Sequence, residues 1–554
     1  MQVNRHLQTL QAYLSQSHSR LYKLILLLLT ILWLGSVLPA LDYYPMVSGD
    51  DVWILSVSYK LWRENVFGSD MFAGFFQADK HYFINLPLHH VEQALLFHVV
   101  GVGIWQARLL SVLMTLALVW LVTSWVYRWY GGATAVLTAI LFILWRSSLT
   151  GIGIPLLAVG RSGRYDIGAV WWMWVAIVLL VSWRERPSSL KAFGLGMSCG
   201  LAALTQFFGA FSFVLVFLLW LSWHKSQLLV RRDTYWLLAG VLLTIAPYLF
   251  FIVRHWSDFM GQRIITDGRL NLATLAFYGQ NLRREPLRYA HLINLPGNTP
   301  AGYQAVSQWF LVLGMAPTAA HWWHRWRQSQ SASDRIIFAS LMVFGLCLLL
   351  WEQIKAPIYA LVLLPTLCIM FAAAAVASLR WLWREGQSEW VKWGGTAVFT
   401  FLFAILVAEG LGTYAINWQR AQTPNNYQIV SEHLQSAVPT NAHVIGFEQW
   451  WWALRDRPTY LAWINLWQQW RWINLYQSEA VSLSELVAQT GATHLLLSRI
   501  DPIYIQQYPA AMQEQFNDLL AHCTEEVAHW EQAEYGVLTV YRLPRDETGQ
   551  LICS

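Results

Sequence analysis

The stretch LYKLILLLLTILWLGSVLPALDYYPMVSGDDVW, residues 21–53, decides the fold. Its first part, 21–41, carries a single charge, Lys23, and about 20 apolar residues in a helix cross a bilayer core of about 30 Å. No small-residue cleavage site follows, so the run is expected to remain as an anchor. The apolar phase then breaks, and Ser48-Gly49-Asp50-Asp51 places two acids at the mouth of the span.

The pattern recurs along the chain. Of 554 residues, 56% are apolar and 12% charged, against roughly 25% charged in a soluble domain, and mean hydropathy is +0.37. Eleven spans are expected, at 21–41, 105–127, 132–150, 165–183, 191–207, 209–223, 234–254, 303–320, 335–352, 357–378 and 394–417. The pair 191–207 and 209–223 is either one long helix or two that turn at Gln206 and Gly209.

Lys and Arg mark cytoplasmic loops. Segments 1–20, 128–131, 184–190, 224–233, 321–334 and 379–393 all carry them, among them Arg5, Arg128, Arg186, Lys225, Arg325 and Arg384, whereas 42–104 has Lys60, Arg63 and Lys80 among seven acids. The net charge of +5 divides into +12 before Trp418 and −7 from Trp418 onward. These asymmetries predict a plasma (inner) membrane protein with the N-terminus cytoplasmic and residues 418–554 extracytoplasmic. The lipid bilayer is a partner, and nucleic acid is excluded because the basic residues form no dense patch.

The expected organisation is a cytoplasmic tail (1–20), a multi-span domain (21–417) with long outer loops 42–104 and 255–302, and a C-terminal domain (418–554). In the first loop, 52–62 and 88–97 read as amphipathic helices able to lie in the membrane interface. The second carries Arg263, Arg269, Arg283, Arg284 and Arg288. In the C-terminal domain, 443–447, 494–498 and 537–543 read as strands and 426–437 and 481–490 as helices, an α/β pattern with a parallel or mixed sheet. The domain shows no phosphate loop or nucleophile elbow. Cys199, Cys347 and Cys368 lie in apolar runs, while Cys523 and Cys553 can pair if the domain is outside the cytoplasm.

Several residues can carry chemistry. Asp50 and Asp51 offer a general base whose pKa partial burial would raise, or an N-cap for the helix that follows. Arg164 and Asp166 stand at a span end, suited to a phosphate and a sugar hydroxyl, or to a structural ion pair. Lys355, near Tyr359, can bind a lipid-linked phosphate or merely snorkel. His89 and His90 are candidate substrate-binding residues, and with Glu92 they have metal-capable chemistry at a spacing that is not diagnostic. Gln449, Trp450, Trp451 and Trp452 suit sugar or membrane contact, or core packing.

The order of these motifs resembles the C-type integral-membrane glycosyltransferases (GT-C superfamily), in the branch of the protein O-mannosyltransferases and the lipid A aminoarabinose transferase. The resemblance rests on Gly49-Asp50-Asp51, on Leu86-Pro87-Leu88-His89-His90 with Leu95-Leu96-Phe97, and on Gly101-Val102-Gly103 followed by Ala107-Arg108-Leu109. Arg164-Tyr165-Asp166 and Lys355-Ala356-Pro357-Ile358-Tyr359 complete it. It covers roughly residues 20–420 and departs at Phe83-Ile84-Asn85-Leu86, where the aminoarabinose transferase has an acid-lysine-proline run.

The resemblance implies an α-helical polytopic membrane protein of about 11 spans with an extracytoplasmic α/β domain. It implies an inverting transfer of a sugar from a polyprenyl-phosphate-linked donor to a lipid, glycan or protein acceptor. Asp50, with Asp51 as alternate, would be the base; Arg164 and Asp166 the site wall; Lys355 and Tyr359 the donor end. It leaves a divalent metal open as cofactor, with Asp50, Asp51 and Asp166 as the acids on offer. Two other readings stand beside it: a transporter or flippase of lipid-linked sugar, disfavoured by the absence of a repeat and by charges gathered at outer span ends, and a sugar-polymer ligase or polymerase, kept open by the five arginines of 255–302.

Overall fold

The computed structural model describes residues 2–146, 153–224, 231–266, 271–289, 306–328, 331–477, 481–498, 505, 506 and 508–553. The chain divides into two compact units. The first comprises Met1–Pro39, Ser111–Pro247 and Gly268–Gln422; the second comprises Ala40–Leu110, Tyr248–Asp267 and Thr423–Ser554.

The first unit is built of helices. Across the chain, eight helices among the described residues are long and apolar enough to cross a membrane: Arg20–Val37, Ile104–Tyr130, Asp166–Glu185, Phe207–His224, Arg232–Arg254, Ala332–Trp351, Leu364–Leu382 and Glu389–Arg420. The other three expected spans fall on helices as well. Gly132–Leu144 and Ser189–Thr205 are apolar but shorter, and Val306–Gln328 contains Pro317 and ends in a basic, aromatic turn. Residues 147–150 and 303–305 of the expected spans, with Lys225 and Arg269, lie outside the described residues.

The doubtful pair resolves into two helices. Gln206 leaves the helical region (φ −152°, ψ 145°), and its Oε1 accepts the Phe207 N–H at 2.9 Å. The chain folds back so closely that a Cβ on Gly209 would lie 1.9 Å from the Ala202 carbonyl oxygen. Small residues also set helix spacing where no hydrophobic force drives helices together in lipid. A Cβ on Gly196, in Ser189–Thr205, would meet the Leu237 carbonyl oxygen of Arg232–Arg254 at 1.9 Å.

The second unit carries a five-stranded sheet: β1 (His443–Gly446), β2 (Thr459–Ala462), β3 (His494–Ser498), β4 (Glu525–Gln532) and β5 (Gly536–Arg542), in the order β2-β1-β3-β5-β4. β1 is parallel to β2 and β3, and β5 is antiparallel to β3 and β4, so the sheet is mixed. Helices Asn426–Ala437 and Leu483–Gln489 fall where the hydrophobic spacing predicts them; Ala510–His522 and strands β2 and β4 were not expected. Cys523 and Cys553 form a disulfide.

The outer segment 42–104 contributes to this unit's core. Helix Gly49–Glu64 buries Val52, Ile54, Leu55 and Val57 together with Asp51, Ser56, Ser58 and Lys60, and Val52 and Leu55 pack in one cluster with Val444, Ile445, Leu495 and Trp463. The expectation that this stretch lies in a membrane interface is corrected: it is buried on too many sides for that. Helix Leu88–Val100 keeps an exposed apolar row of Val91, Leu95 and Val99, while its other face is buried.

Replacing Gly196 by Ala forces two backbones apart at a point where neither can yield. A loss of about 1–3 kcal/mol is expected, seen as a lower melting temperature of the detergent-solubilised protein; an unchanged melt would show that the helices do not touch there.

Candidate functional site

The acidic motif opens helix Gly49–Glu64. Ser48 is its N-cap in an extended conformation: its hydroxyl accepts the Asp51 N–H at 3.3 Å, and Asp51 Oδ2 accepts the Ser48 N–H at 3.1 Å. This reciprocal capping box satisfies two backbone donors left unpaired at a helix start. Asp51 Oδ2 also receives Nη2 of Arg108 at 2.8 Å. The Arg108 guanidinium is fully buried and donates through Nη1 to the carbonyls of Leu41 and Pro45, at 3.1 and 2.9 Å. Asp51 is thus committed to holding the helix start and neutralising a buried cation.

Asp50 is placed differently. It is exposed and lines a cavity of about 300 Å3 with Ser48, Trp53, Glu448, Gln449, Ile464 and Tyr508. The two adjacent acids therefore divide the alternatives between them: the cap falls to Asp51, and Asp50 faces the cavity.

Glu448, which sequence reasoning missed, begins the turn that follows β1. A Cβ built on Gly49 would sit 3.5 Å from Glu448 Oε2. Burial pushes the Glu448 carboxyl up to about 7, and the Asp50 charge adds to the rise, against hydrogen bonds from its own and the Ile464 amide. Gln449 lines the same cavity, whereas Trp450 and Trp451 are buried in the core.

His89 and His90 are buried and do not line this cavity. His90 Nδ1 lies 3.2 Å from the Ile54 carbonyl and 3.3 Å from the Ser58 hydroxyl. Burial, followed by its neighbour His89, lowers His90 to about 3, so its neutral ring pins helix Leu88–Val100 to Gly49–Glu64 and carries no charge for an anion. Among the described residues the group that could hold a metal is another: His81, His255 and Asp258, of the second unit, bring three ligand atoms within 4.8 Å of one another. His81 Nδ1 is 2.9 Å from Asp258 Oδ2, and Gln262 fixes the loop by donating to the carbonyls of His81 and Phe76 and accepting the Phe83 N–H. Burial, then His81, lowers the pKa of His255, which favours the neutral imidazole that ligates metal. The signal was present in the sequence only as His255 and Asp258, three residues apart, with His81 far from both.

In the first unit, Arg164 Nε donates to Asp166 Oδ2 at 2.8 Å at the start of helix Asp166–Glu185. Asp166 is fully buried, while the Arg164 side chain is partly open. Lys355 is no lone snorkelling residue. Its Nζ meets Glu285 Oε2 at 2.6 Å, and Arg288, fully buried, donates through Nε to Glu285 Oε1 at 2.9 Å. Burial lowers the Lys355 pKa against the pull of Glu285. Buried Glu352 adds a second carboxylate near it. Tyr359 is buried in the turn Pro357–Val362, its ring centroid 5.9 Å from that of Phe208. The arginines of 255–302 do not act as one set: Arg263 belongs to the second unit and Arg283, Arg284 and Arg288 to the first, with Arg283 and Arg284 exposed.

No protein-family model and no curated protein matches the sequence. Solved structures do match. ArnT from Cupriavidus metallidurans in the apo state aligns with a TM-score of 0.60 at 12% identity, over 95% of this chain and 98% of that one. The same protein bound to undecaprenyl phosphate gives 0.59 at 13%, over 93% and 97%. The Archaeoglobus fulgidus oligosaccharyltransferase tethered with an acceptor peptide gives 0.52 at 12%, over 93% and 73%. The chain has the GT-C fold that its motif order implied, a multi-pass helical membrane architecture with a C-terminal sheet.

Asp51→Ala strands Arg108 as an unpaired buried cation, a change that costs about 3–5 kcal/mol. A large drop in melting temperature is expected for Asp51→Ala and none for Asp50→Asn; equal melts for both would refute the division of roles.

Proposed function

We propose that the chain is an inverting glycosyltransferase that moves a sugar from a polyprenyl-phosphate-linked donor to a hydroxyl of an extracytoplasmic acceptor, with Asp50 as the general base. The observation that carries this reading is the split within the acidic pair. Arg108 and Ser48 occupy Asp51, while Asp50 lines a cavity large enough for part of a substrate. The fold supports the donor class, since one structure of that fold holds undecaprenyl phosphate.

The chemistry is a single displacement. The acceptor oxygen attacks the anomeric carbon as the bond to the phosphate oxygen breaks, the electron pair leaves with the phosphate, and Asp50 takes the acceptor's proton. Attack opposite the leaving group inverts the centre, so a β-linked donor yields an α-linked product. Arg164 and Lys355 serve the negative charge that develops on the departing phosphate, with Asp166 and Glu285 holding those cations in place. Tyr359 shapes the donor end. In this reading the protein works in the plasma (inner) membrane with its N-terminus in the cytoplasm and its C-terminal domain on the far side, where a lipid, glycan or protein acceptor is met.

A divalent ion, in the same reading, has its seat at His81, His255 and Asp258, whose two imidazoles and carboxylate suit zinc or a similar ion. No step of the displacement runs through it. Cobalt(II) titration of the purified protein should give ligand-field absorption that His255→Ala removes; the same spectrum in both proteins would place the metal elsewhere.

The base is tested in membranes that hold the chain with its own donor and acceptor. Asp50→Asn should lower sugar transfer by roughly 10²–10⁴-fold, the usual worth of a general base. Undiminished transfer would remove Asp50 from the mechanism, and passage of lipid-linked sugar across the bilayer without transfer would favour a transporter.

A further inference from the structure

Glu448 stands outside the established motif order, yet it shares a cavity with the proposed base. We infer that Glu448 is a positioning residue for a sugar acceptor: the attacking hydroxyl meets Asp50 while a neighbouring hydroxyl of the same ring donates to Glu448. The inference rests on the reading of Asp50 as the base and names the acceptor class that reading left open.

The lining of the cavity makes the case. Two carboxylates and the Ser48 hydroxyl offer acceptors for hydroxyl donors, and Gln449 adds an amide. Trp53, Phe447 and Tyr508 add aromatic side chains to the wall, and Trp53 and Tyr508 are braced from behind. The indole N–H of Trp53 donates to the Tyr82 hydroxyl, and the Tyr508 ring stacks on Trp467 with centroids 4.4 Å apart. Rigid aromatic faces beside convergent acceptors fit the apolar face and polar rim of a sugar ring. A volume of about 300 Å3 admits one ring rather than an extended chain. A protein side chain would use the aromatic wall but leave one of the carboxylates without a donor.

The position of Glu448 is fixed from several sides. It starts the turn after β1 and receives the Ile464 amide. The Gln449 carbonyl is held by the Tyr427 hydroxyl at 2.6 Å, and the Phe447 carbonyl is held by the Tyr460 hydroxyl. The ionisable groups of the elements packed around it are Asp50 of helix Gly49–Glu64, the Tyr508 phenol, and Asp51, which is turned to Arg108. Behind these lie Tyr427 and Tyr535, whose phenols burial raises well above the ordinary tyrosine value, so both stay neutral. Burial is the main cause that lifts the Glu448 carboxyl to about 7, and Asp50 is the charged neighbour that adds to the rise. Below that pH Glu448 is protonated and a weaker acceptor for the sugar; above it the carboxylate takes the hydroxyl in a charge-assisted bond. Acceptor-dependent kcat/KM should therefore rise through about pH 7.

The test uses the full chain in native membranes, with methyl glycosides of common hexoses as competitors for the acceptor and undecaprenyl phosphate as competitor for the donor. Glu448→Gln should weaken inhibition by the glycosides roughly tenfold, the worth of one hydrogen bond to a charged group, and should flatten the rise with pH. Inhibition by undecaprenyl phosphate should stay at the wild-type level, which also reports that the variant is folded. Glu448→Asp, with the charge on a shorter arm, should keep the pH rise while losing glycoside affinity. Wild-type glycoside inhibition and pH profile in Glu448→Gln would overturn the inference, as would an absence of glycoside competition in the unaltered protein. If Asp50→Asn abolishes transfer while Glu448→Gln changes nothing, this inference alone falls; if Asp50→Asn transfers fully, the proposed base falls first.

Discussion

The buried ion pair between Arg108 and Asp51 is the contact on which the site depends. Neither side chain has appreciable access to water, and a guanidinium without its carboxylate would be costly in that position. Arg108 also collects the carbonyls of Leu41 and Pro45, the backbone that leaves the first span. One side chain thereby ties the backbone at Leu41 and Pro45 to the start of helix Gly49–Glu64. The capping box then sets the phase of the helix, and Asp50 takes the position next to Asp51 that faces the cavity. Such a pair adds little net stability over a well-packed apolar alternative. What it provides is a fixed location for the residue beside it.

The cation cluster of the first unit follows a related rule. Lys355 and Arg288 share Glu285, so two positive charges are kept at the end of a span at a modest electrostatic cost. An arriving phosphate would meet cations already oriented by a carboxylate, and it would compete with that carboxylate for them. Arg164 and Asp166 repeat the arrangement on a smaller scale. At Arg164 the acid is the more buried partner, whereas Glu285 is slightly more open than the two bases it joins.

The membrane architecture was legible because lipid imposes a strong rule: backbone groups must bond within the segment, so long apolar runs become helices. Among the described residues all eleven runs fall on helices, and the ambiguous pair at Gln206 was decided by one extended residue. Pairings distant in the chain were not legible. Arg108 lies 57 residues from Asp51, and nothing local marks it as the partner of that acid. Glu448 was one acid among fourteen from Trp418 onward, and only the sheet brings it to Asp50. His81 and Asp258 are 177 residues apart, whereas the adjacent His89 and His90 looked more like ligands and serve packing. Strand β2 has four residues, too few to show a period. Strand β4 is an edge strand with the charged sequence EEVAHWEQ, the composition that keeps exposed edges from pairing further.

Helix Gly49–Glu64 packs in one core with the sheet of the C-terminal residues, and that has a consequence for how this protein could be divided or recombined. The proposed base is not borne by the helical unit that contains the expected donor residues. It travels with a body made of three separate stretches, Ala40–Leu110, Tyr248–Asp267 and Thr423–Ser554. A graft that exchanged only the last stretch would set a foreign sheet against a native helix and leave Val52 and Leu55 without their shaped partners. The inheritable module is discontinuous, and a chimera that respects it must cut the chain five times rather than once.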